Sequence, residues 1–410
     1  MVPILDINTI RKDFPILDKK IRGKPLCYLD NGASAQKPKV VIEAVKNGYE
    51  DEYANVHRGL HFLSNLATEK FEAVRGKIQS FLGAKSENEI IFTSGSTEGI
   101  NLVAYAWAQY NLKKNDEILL SLAEHHSNIV PWHFLREKIG VNLRWIEPKE
   151  DGSISADDVI NSISENTKLI AITQMSNVLG SIVDVKKICM SAQKKQIVTL
   201  VDGSQSVVHM PVNVSDICCD FFVFTGHKLY GPSASGALYI NENRFDEMKP
   251  FIGGGSMINY VGKESITYNN IPQKFEAGTP AIIPIIGLGA AIDFIQSLGH
   301  KNITEYESKL VNYAKESLYD LDFLDFQGKS SNKGGIFSFT MKENKLHAHD
   351  IATIVDQKGV AVRAGHHCAQ PLLDHLGLNA TCRASLALYN NEEDIDQLVD
   401  ALKFAFTLID

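Results

Sequence analysis

The sequence predicts an α/β protein with a large domain and a smaller α+β domain. The chain has 410 residues, which is more than one small core normally absorbs. From Asn88 onward, short β-branched and apolar segments alternate with segments of helical periodicity, which is typical of a mostly parallel or mixed sheet covered by helices on both faces. Beyond about Pro284, long helical segments and the strands GGIFSFT and GVAVR predict the smaller domain.

The composition is that of an ordinary soluble globular protein, with 44% apolar and 22% charged residues. The formal net charge of −8 argues against nucleic acid or an anionic membrane surface as a partner. The longest apolar run, Ala281 to Ile292, is broken by Pro284 and is too short to cross a bilayer. The first residues mix charge with apolar side chains and show no secretory signal, so we expect a cytoplasmic protein.

Two helical segments and a polar loop precede the alternating region. The apolar residues that share a helical face are Val41, Val45 and Tyr49 in the first segment and Phe71, Val74, Ile78 and Phe81 in the second. We expect both faces to point to the core. The loop NVHRGLH between them carries His57, which is either part of a polar connector or a functional residue.

The predicted strands of the large domain end in polar residues. These strands are EIIFT, DEILLSL, NLRWIEP, KLIAITQ, QIVTLVD and DFFVF. Ligands of such sheets bind beyond the carboxyl ends of the strands. The polar residues found there are His125, Asn177, Asp202 and Lys228. A helix start, SGSTEG, follows the first strand, and its free N–H groups with the hydroxyls of Ser96 and Thr97 suit a phosphate, although an ordinary capped helix has the same pattern.

Lys228 decides what this edge of the sheet could do. A lone lysine after a strand is usually a solvated loop residue. Held at the mouth of a sheet, the same amine could lose its proton and form a Schiff base with a carbonyl cofactor. Pyridoxal phosphate needs such a lysine, a carboxylate for its ring nitrogen, a flat partner for its ring and a phosphate site. Asp202 supplies the carboxylate, unless it is a buried structural residue paired with a cation.

The six cysteines form no CxxC pair, so neither a disulfide framework nor a zinc ribbon is predicted. Most of them should be small buried hydrophobic residues. Cys368 differs, because GHHCAQP is a polar, turn-forming loop in which a thiolate forms easily. The adjacent histidines could suggest a metal, but neighbouring residues rarely converge on one ion. Arg383 is a candidate for binding a carboxylate in a two-point fork.

With these residues in place, the chain resembles the SufS-type (group II) cysteine desulfurases of the aminotransferase class V family. The matching motifs are NVHRG, TSGSTEG, EHHSNIVPW, SNVLG, VDGSQS, FTGHKLYGP, FEAGTP, RAGHHCAQP and CRASLALYN. The resemblance implies the fold-type I of pyridoxal-phosphate-dependent transferases, with a mostly parallel seven-stranded sheet. We expect a large domain over residues 21–284, a small domain over 285–410, and residues 1–20 packed against the small domain.

The resemblance also implies roles for individual residues. Lys228 would bind pyridoxal 5'-phosphate covalently, Asp202 would contact its ring nitrogen, His125 would stack on its ring, and Gln205 would reach its phenolic oxygen. The residues expected at its phosphate are Ser96, Thr97, Thr225 and His227, with Thr279 reaching the phosphate of the other subunit of a homodimer. L-cysteine would be bound by Asn177, Arg383, Arg363 and His57. Cys368 would accept its sulfur as a persulfide and pass it to a SufE-like or SufU-like protein for iron–sulfur cluster assembly.

Other readings remain open. An aminotransferase or a kynureninase-like lyase would use Lys228 and Asp202 but would give Cys368 no role. Selenocysteine lyase activity could accompany desulfurase activity, and a sulfur-relay protein without catalysis would retain the fold alone. The chain also departs from the family pattern at Gly32, at Ser256 and at Ser233-Ala234-Ser235, all beside the predicted site.

Overall fold

A computed structural model describes residues 5–408 of the chain. Residues 1–4 and 409–410, which belong to the first and last predicted ranges, lie outside the described residues. The larger part is built on seven strands, and their order across the sheet is Ile90–Thr93, Gly236–Ile240, Phe221–Thr225, Val198–Asp202, Thr167–Thr173, Glu117–Ser121 and Asn142–Ile146. Gly236–Ile240 is antiparallel to both neighbours, and all other neighbouring pairs are parallel. The predicted mostly parallel α/β sheet is confirmed.

Successive apolar side chains of the strands point to opposite faces of this sheet, which explains why helices cover both faces. Phe222 and Phe224 face one buried cluster, whereas Phe221 and Val223 face the other. The helices against the first face are Phe62–Leu82, Val185–Lys194, Ser206–His209 and Ile282–Leu298, with Lys39–Glu50 and Ala156–Asn161 outside them. The other face packs against Val130–Ile139 and against a helical run formed by Ser96–Leu102, the π-helical Val103–Ala108 and Gln109–Asn111.

The helical faces predicted near the N-terminus are mostly correct. Phe71, Val74 and Ile78 are buried and Phe81 is partly buried. In Lys39–Glu50, Val41 is buried but Tyr49 is exposed and stacks on Tyr53, so the prediction that Tyr49 faces the core is wrong.

The smaller part has its own antiparallel sheet and its own core. Its strand order is Leu324–Gln327, Ile336–Met341, Thr381–Ser385 and Arg363–Gly365. Its helices are His300–Tyr319, Ala348–Asp356, Gln370–His375 and Glu392–Thr407. Most buried apolar residues of the first, second and last of these helices pack with Phe337 and Phe339 of the sheet, whereas Leu372 and Leu373 of Gln370–His375 belong to the larger core.

The two parts exchange segments near both predicted boundaries. Residues 285–298 belong to the helix Ile282–Leu298, which packs on Lys39–Glu50 and Phe62–Leu82 of the larger part. Pro284 lies in the first turn of that helix, where no intrahelical N–H is required. Conversely, Cys27–Tyr28 pairs in parallel with Val360–Ala361 of the smaller part.

The N-terminal segment contacts both parts. Phe14 packs in the larger core, with its ring centroid 4.6 Å from that of Tyr389, and Arg11 forms an ion pair with Asp394 at 2.7 Å. Minor elements complete the described chain: the helices Ile7–Arg11 and Val214–Ile217, the 3-10 turns Pro15–Asp18, Glu87–Glu89, His126–Asn128, Glu242–Glu247, Gln273–Phe275 and Lys342–Asn344, and the hairpins Lys20–Ile21 with Lys24–Pro25 and Ile258–Val261 with Ile266–Tyr268.

Among the described helices, none is by itself long and apolar enough to span a bilayer; Ile282–Leu298 and His300–Tyr319 reach that length and composition only as a pair bent by 75°.

Candidate active site

A cavity of about 340 Å³ lies at the carboxyl ends of the central strands and is closed on one side by the smaller part. Every predicted site residue except His57 and Thr279 lines it. These lining residues are Ser96, Thr97, His125, Asn177, Asp202, Gln205, Thr225, His227, Lys228, Arg363, Cys368 and Arg383. The strand ends therefore meet as the sequence predicted.

Lys228 follows the strand Phe221–Thr225 by three residues. Burial lowers the pKa of its amine to about 8, an effect that Arg383 adds to and the carboxylate of Asp202 opposes. The turn is held from outside, because Lys37 Nζ donates to the carbonyl oxygen of His227 at 2.9 Å. About a tenth of the Lys228 amine is therefore neutral at pH 7, far more than for an exposed lysine, and the neutral form is the one that forms a Schiff base.

Asp202 is 4% exposed and ends the neighbouring strand. Its Oδ1 accepts hydrogen bonds from the backbone N–H of Ser204 at 2.9 Å and from the Ser204 hydroxyl at 2.5 Å, and that hydroxyl also contacts Ser96 Oγ at 2.6 Å. Within residues 5–408, no protein donor hydrogen-bonds Asp202 Oδ2. One carboxylate oxygen is thus fixed by serine, and the other can take an N–H group of a bound ring.

The start of the helical run at Ser96 is a candidate anion site. Gly95 has a φ of +148°, and a Cβ there would lie 3.1 Å from Thr225 Oγ1, so glycine allows the two segments to approach. Thr97 Oγ1 contacts Ser127 Oγ at 2.7 Å. Backbone N–H groups at a helix start attract a phosphate, and the hydroxyls of Ser96, Thr97 and Thr225 surround this one.

His125 is neutral in this cavity. Burial, together with the charge of Lys228, lowers the pKa of its imidazole to about 3. Its Nδ1 accepts from the backbone N–H of Ser127 at 3.1 Å, which assigns the proton to Nε2. Glu124 behind it is buried, and burial raises its pKa to about 8; its oxygens accept from Ser121 Oγ at 2.5 Å and Asn128 Nδ2 at 2.7 Å. A flat, uncharged ring therefore lies at the cavity wall.

Arg383 lies on the wall from the smaller part and is 2% exposed. Its Nη1 donates to the carbonyl oxygen of Asn177 at 2.9 Å, and its Nη2 lies 3.5 Å from Asp30 Oδ1. Its Nε has no hydrogen-bond acceptor among the described residues, and its Nη2 has only the long ion pair with Asp30. Arg363 donates to the same Asp30 at 2.9 Å. Buried donors without an acceptor are costly, so a carboxylate is the ligand that Arg383 fits.

Cys368 is exposed and lies on a loop held from across the cavity. The backbone N–H of His126 donates to the Cys368 carbonyl oxygen at 2.6 Å, and Asn177 Nδ2 donates to the His367 carbonyl oxygen at 2.7 Å. The side chain of His126 accepts from the backbone N–H of Gln370 at 3.0 Å. His367 and Cys368 both have a positive φ, 52° and 56°. The other cysteines behave as predicted, since all are buried except the partly exposed Cys218.

Two predicted site residues lie outside the cavity of their own chain. His57 is in the predicted loop and contacts Glu72 Oε1 at 2.8 Å, and Thr279 is exposed. Gln205 lines the cavity, but its Nε2 donates to the Gly32 carbonyl oxygen at 2.8 Å. Gly32 is one of the departures from the family pattern, and a Cβ there would lie 3.3 Å from Arg383 Cζ.

Several supporting residues were missed by the sequence predictions. They are Asp30 behind the two arginines, Glu124 behind His125, Ser127 beside Thr97, and Ser204 between Asp202 and Ser96. The signal for Ser127 and Ser204 was their place in EHHSN and GSQS, the polar segments that follow two of the strands. Asp30 had no such signal, because it meets the arginines only in the folded chain.

The donor set fits pyridoxal phosphate. The lowered pKa of Lys228, the free oxygen of Asp202, the neutral ring of His125 and the anion site at Ser96 correspond to the four groups that this cofactor needs. Arg383 then remains for the carboxylate of an amino-acid substrate.

Comparisons with known proteins agree with this geometry. A family model described as aminotransferase class-V matches residues 27–398. A cysteine desulfurase from Escherichia coli O7:K1 is 46% identical over 398 residues and 97% of each chain is covered; a probable cysteine desulfurase from Halalkalibacterium halodurans is 45% identical, with 97% and 98% covered. The structure of the cysteine desulfurase CsdA from Escherichia coli has a TM-score of 0.90 at 34% identity, covering 99% of this chain and 100% of its own. The apo structure of a cysteine desulfurase from Thermococcus onnurineus has a TM-score of 0.93 at 36% identity, with the same coverage.

Proposed function

The chain belongs to the aminotransferase class-V family, and we propose that it is a pyridoxal-phosphate-dependent cysteine desulfurase that converts L-cysteine to L-alanine. The observation that carries the proposal is that Lys228, Asp202, Arg383 and an exposed thiol, Cys368, line one cavity. An aminotransferase or a kynureninase-like lyase would need the lysine and the carboxylate but not the thiol.

The protein supplies binding, orientation and proton transfer. When bound at Lys228, pyridoxal phosphate supplies the electron sink for bond changes at the substrate Cα. Arg383, Arg363 and Asn177 hold the substrate carboxylate, and Asp30 forms ion pairs with both guanidinium groups. The Lys228 amine, with its pKa near 8, is suited to take the Cα proton and return it.

Cys368 accepts the sulfur. Its thiolate attacks the sulfur of the substrate cysteine, and an S–S bond forms as the Cβ–S bond breaks. The electron pair of the broken bond stays on the carbon side, which takes up protons and leaves as alanine. The sulfur remains as a persulfide on Cys368, and its exposed loop gives an acceptor protein access to it. L-selenocysteine would contact the same groups and is a second substrate under this proposal.

The finer assignments follow from the motifs. The loop RAGHHCAQP supports the SufS type, with a SufE-like or SufU-like sulfur acceptor and a role in iron–sulfur cluster assembly. A homodimer is supported by the exposed apolar side chains Leu60 and Phe62, 99% and 75% exposed, beside the His57 loop. Thr279 would then contact the cofactor phosphate of the second subunit.

Release of alanine and sulfide from L-cysteine in the presence of a thiol reductant tests the proposal. The wild type should release both in equal amounts, and Cys368→Ala should lose at least about 10²-fold in rate while keeping the cofactor absorbance. Cys218→Ala is the matched control, since Cys218 is partly exposed and lies outside the cavity. An unchanged rate in Cys368→Ala would contradict the persulfide route, and transfer of the amino group to a 2-oxo acid would indicate an aminotransferase.

A further inference from the structure

A charged cluster outside the cavity connects the loops of His57 and Thr279, the two predicted site residues that do not line the cavity. We define the Arg75 cluster as Arg75, Glu72, His57 and Glu276. His57 Nε2 contacts Glu72 Oε1 at 2.8 Å, and Arg75 Nε donates to Glu72 Oε2 at 2.8 Å. On its other side, Arg75 forms a two-point pair with Glu276, at 2.7 Å from Nη1 and 3.0 Å from Nη2. Glu276 precedes Thr279 by three residues.

The cluster is buried and well paired at its centre. Arg75 is 3% exposed, and the side chain of Glu276 is 8% exposed. Burial alone would lower the pKa of Arg75, but the two carboxylates raise it, so the guanidinium stays charged. For Glu72, the contacts with His57 and Arg75 outweigh the effect of burial and lower its pKa to about 2. The charges of Arg75 and Glu72 are thus fixed across the physiological pH range, whereas burial raises the pKa of Glu276.

Both loops attached to the cluster reach the surface. His57 has a positive φ of 73°, and its backbone N–H donates to Thr68 Oγ1 at 2.8 Å, so its loop is held at two points. Thr279 is exposed and follows Gly278, whose φ is 81°. Leu60, next to His57 in the same loop, is 99% exposed. The two loops are therefore tied to different sides of the Arg75 cluster, and both carry exposed residues, among them the apolar Leu60, that a second copy of the chain would cover.

We propose that the Arg75 cluster is a positioning device that holds the His57 and Thr279 loops in register so that they complete the cavity of the second subunit. This inference rests on the proposed function, namely on a dimeric desulfurase. Arg75 is a positioning residue in this scheme, because it acts through the two loops and contacts neither substrate nor cofactor.

Arg75 and Glu276 also contact the cavity side of their own chain, which gives them a second possible role. Arg75 Nη1 donates to the carbonyl oxygen of Ile90 at 2.8 Å, and Glu276 Oε1 accepts from the backbone N–H of Phe92 at 2.8 Å. Both residues belong to the strand Ile90–Thr93, which leads to the anion site at Ser96. An experiment must therefore separate an effect on the chain's own cavity from an effect on its partner's.

Mixed dimers with differently tagged chains make this separation. Arg75→Lys keeps the charge but cannot form the two-point pairs. In the first mixed dimer, an Arg75→Lys chain is paired with a Lys228→Ala chain; the one site with Lys228 then receives its loops from a chain with an intact cluster. In the second, a wild-type chain is paired with an Arg75→Lys, Lys228→Ala chain, so the one site with Lys228 receives its loops from the altered cluster.

We expect the first mixed dimer to match the control dimer of wild-type and Lys228→Ala chains, and the second to be about 10- to 100-fold less active in kcat/KM. His57→Ala in place of Arg75→Lys should give the same pattern. Because it leaves the buried pair of Arg75 and Glu276 intact, this variant shows separately which subunit's cavity the His57 loop serves. The reverse pattern, equal loss in both mixed dimers, or no loss in either would overturn it.

The control dimer distinguishes the two levels of the proposal. A control dimer that releases no alanine from L-cysteine would contradict the proposed function itself. An active control together with an impaired first mixed dimer would contradict only the role of the Arg75 cluster. Cofactor absorbance and the thermal midpoint of each dimer, recorded alongside, show that the chains are folded and loaded.

Discussion

The two walls of the cavity are built in different ways. On the larger part, Asp202 ends one of two neighbouring strands whose residues are all buried and Lys228 follows the other, so their places depend on the core of the sheet. On the smaller part, Cys368 lies on an irregular loop with two left-handed residues, a conformation that costs about 1–2 kcal/mol per residue. That loop is held by His126 and Asn177 of the opposite wall.

The difference suggests a division of tasks. The wall from the larger part, here called the sheet wall, fixes the groups that bind the cofactor, where small displacements are costly to catalysis. The wall from the smaller part, here called the loop wall, carries Cys368 on its loop and Arg383 on the strand Thr381–Ser385. Its thiol must reach the substrate and later an acceptor protein. Removing a group from the sheet wall should therefore abolish all chemistry, and changes on the loop wall should affect separate steps.

The largest expected effect is that of Lys228→Ala. Without the amine, neither covalent binding of the cofactor nor proton transfer at Cα is possible, so desulfurase activity should fall by at least about 10²-fold. The absorbance of the lysine-bound cofactor should be absent. Lys37→Met is the control, because Lys37 holds the same turn but does not line the cavity. A Lys228→Ala protein that retains most of its activity would contradict the claim that all chemistry depends on the groups of the sheet wall.

A smaller effect is expected for Arg383→Lys on the loop wall. Lysine keeps the charge but cannot bind a carboxylate at two points, so kcat/KM for L-cysteine should fall by about 10- to 100-fold. Most of the loss should appear in KM, and the cofactor absorbance should be unchanged. A loss of cofactor instead would show that Arg383 belongs functionally to the sheet wall.

The pH dependence of cofactor uptake gives a third comparison. The neutral Lys228 amine is the reactive form, and its lowered pKa of about 8 means that this form increases about tenfold per pH unit below 8. The uptake rate of the cofactor-free protein should therefore rise with pH and level off above about 8. Lys37→Met should keep this midpoint, although the pKa of Lys37 is itself lowered to about 8 by burial. A midpoint near the ordinary value for lysine would contradict the burial of Lys228.

The smallest effect is expected for His126→Ala. This change removes the acceptor of the Gln370 N–H while leaving the backbone contact with Cys368. Loss of one hydrogen bond of about 1 kcal/mol should make amide exchange of Gln370 about fivefold faster. Exchange in Val198–Asp202 should stay unchanged, and equal acceleration there would indicate general destabilisation.

The residues of the sheet wall could be predicted from sequence patterns. The contribution of a second subunit, through His57 and Thr279, could be predicted only from the family resemblance. Asp202 and Lys228 could be placed because Asp202 ends one apolar strand and Lys228 follows the next by three residues, and parallel strands bring such ends together. His57 and Thr279 carry motif resemblance but no periodicity that shows which chain's cavity they serve. Their roles remain predictions, because the described chain places both outside its own cavity.

Other differences have local physical reasons. Pro284 suggested a domain boundary, yet proline is accommodated in the first turn of the helix Ile282–Leu298. Tyr49 continued the helical spacing of Val41 and Val45, but spacing predicts a face and not what covers it. The segment after FIGGG forms the hairpin Ile258–Val261 with Ile266–Tyr268. This hairpin was not predicted, because the glycines before it suggested a flexible loop.

The most direct test is the mass of the Cys368 peptide after a single turnover with L-cysteine and no reductant. We predict a gain of one sulfur atom on this peptide in the wild type and no gain in Lys228→Ala, because the thiol on the loop wall receives sulfur only after the sheet wall has done its chemistry. Sulfur on Cys218 in place of Cys368, or an equal gain on Cys368 in Lys228→Ala, would contradict this account.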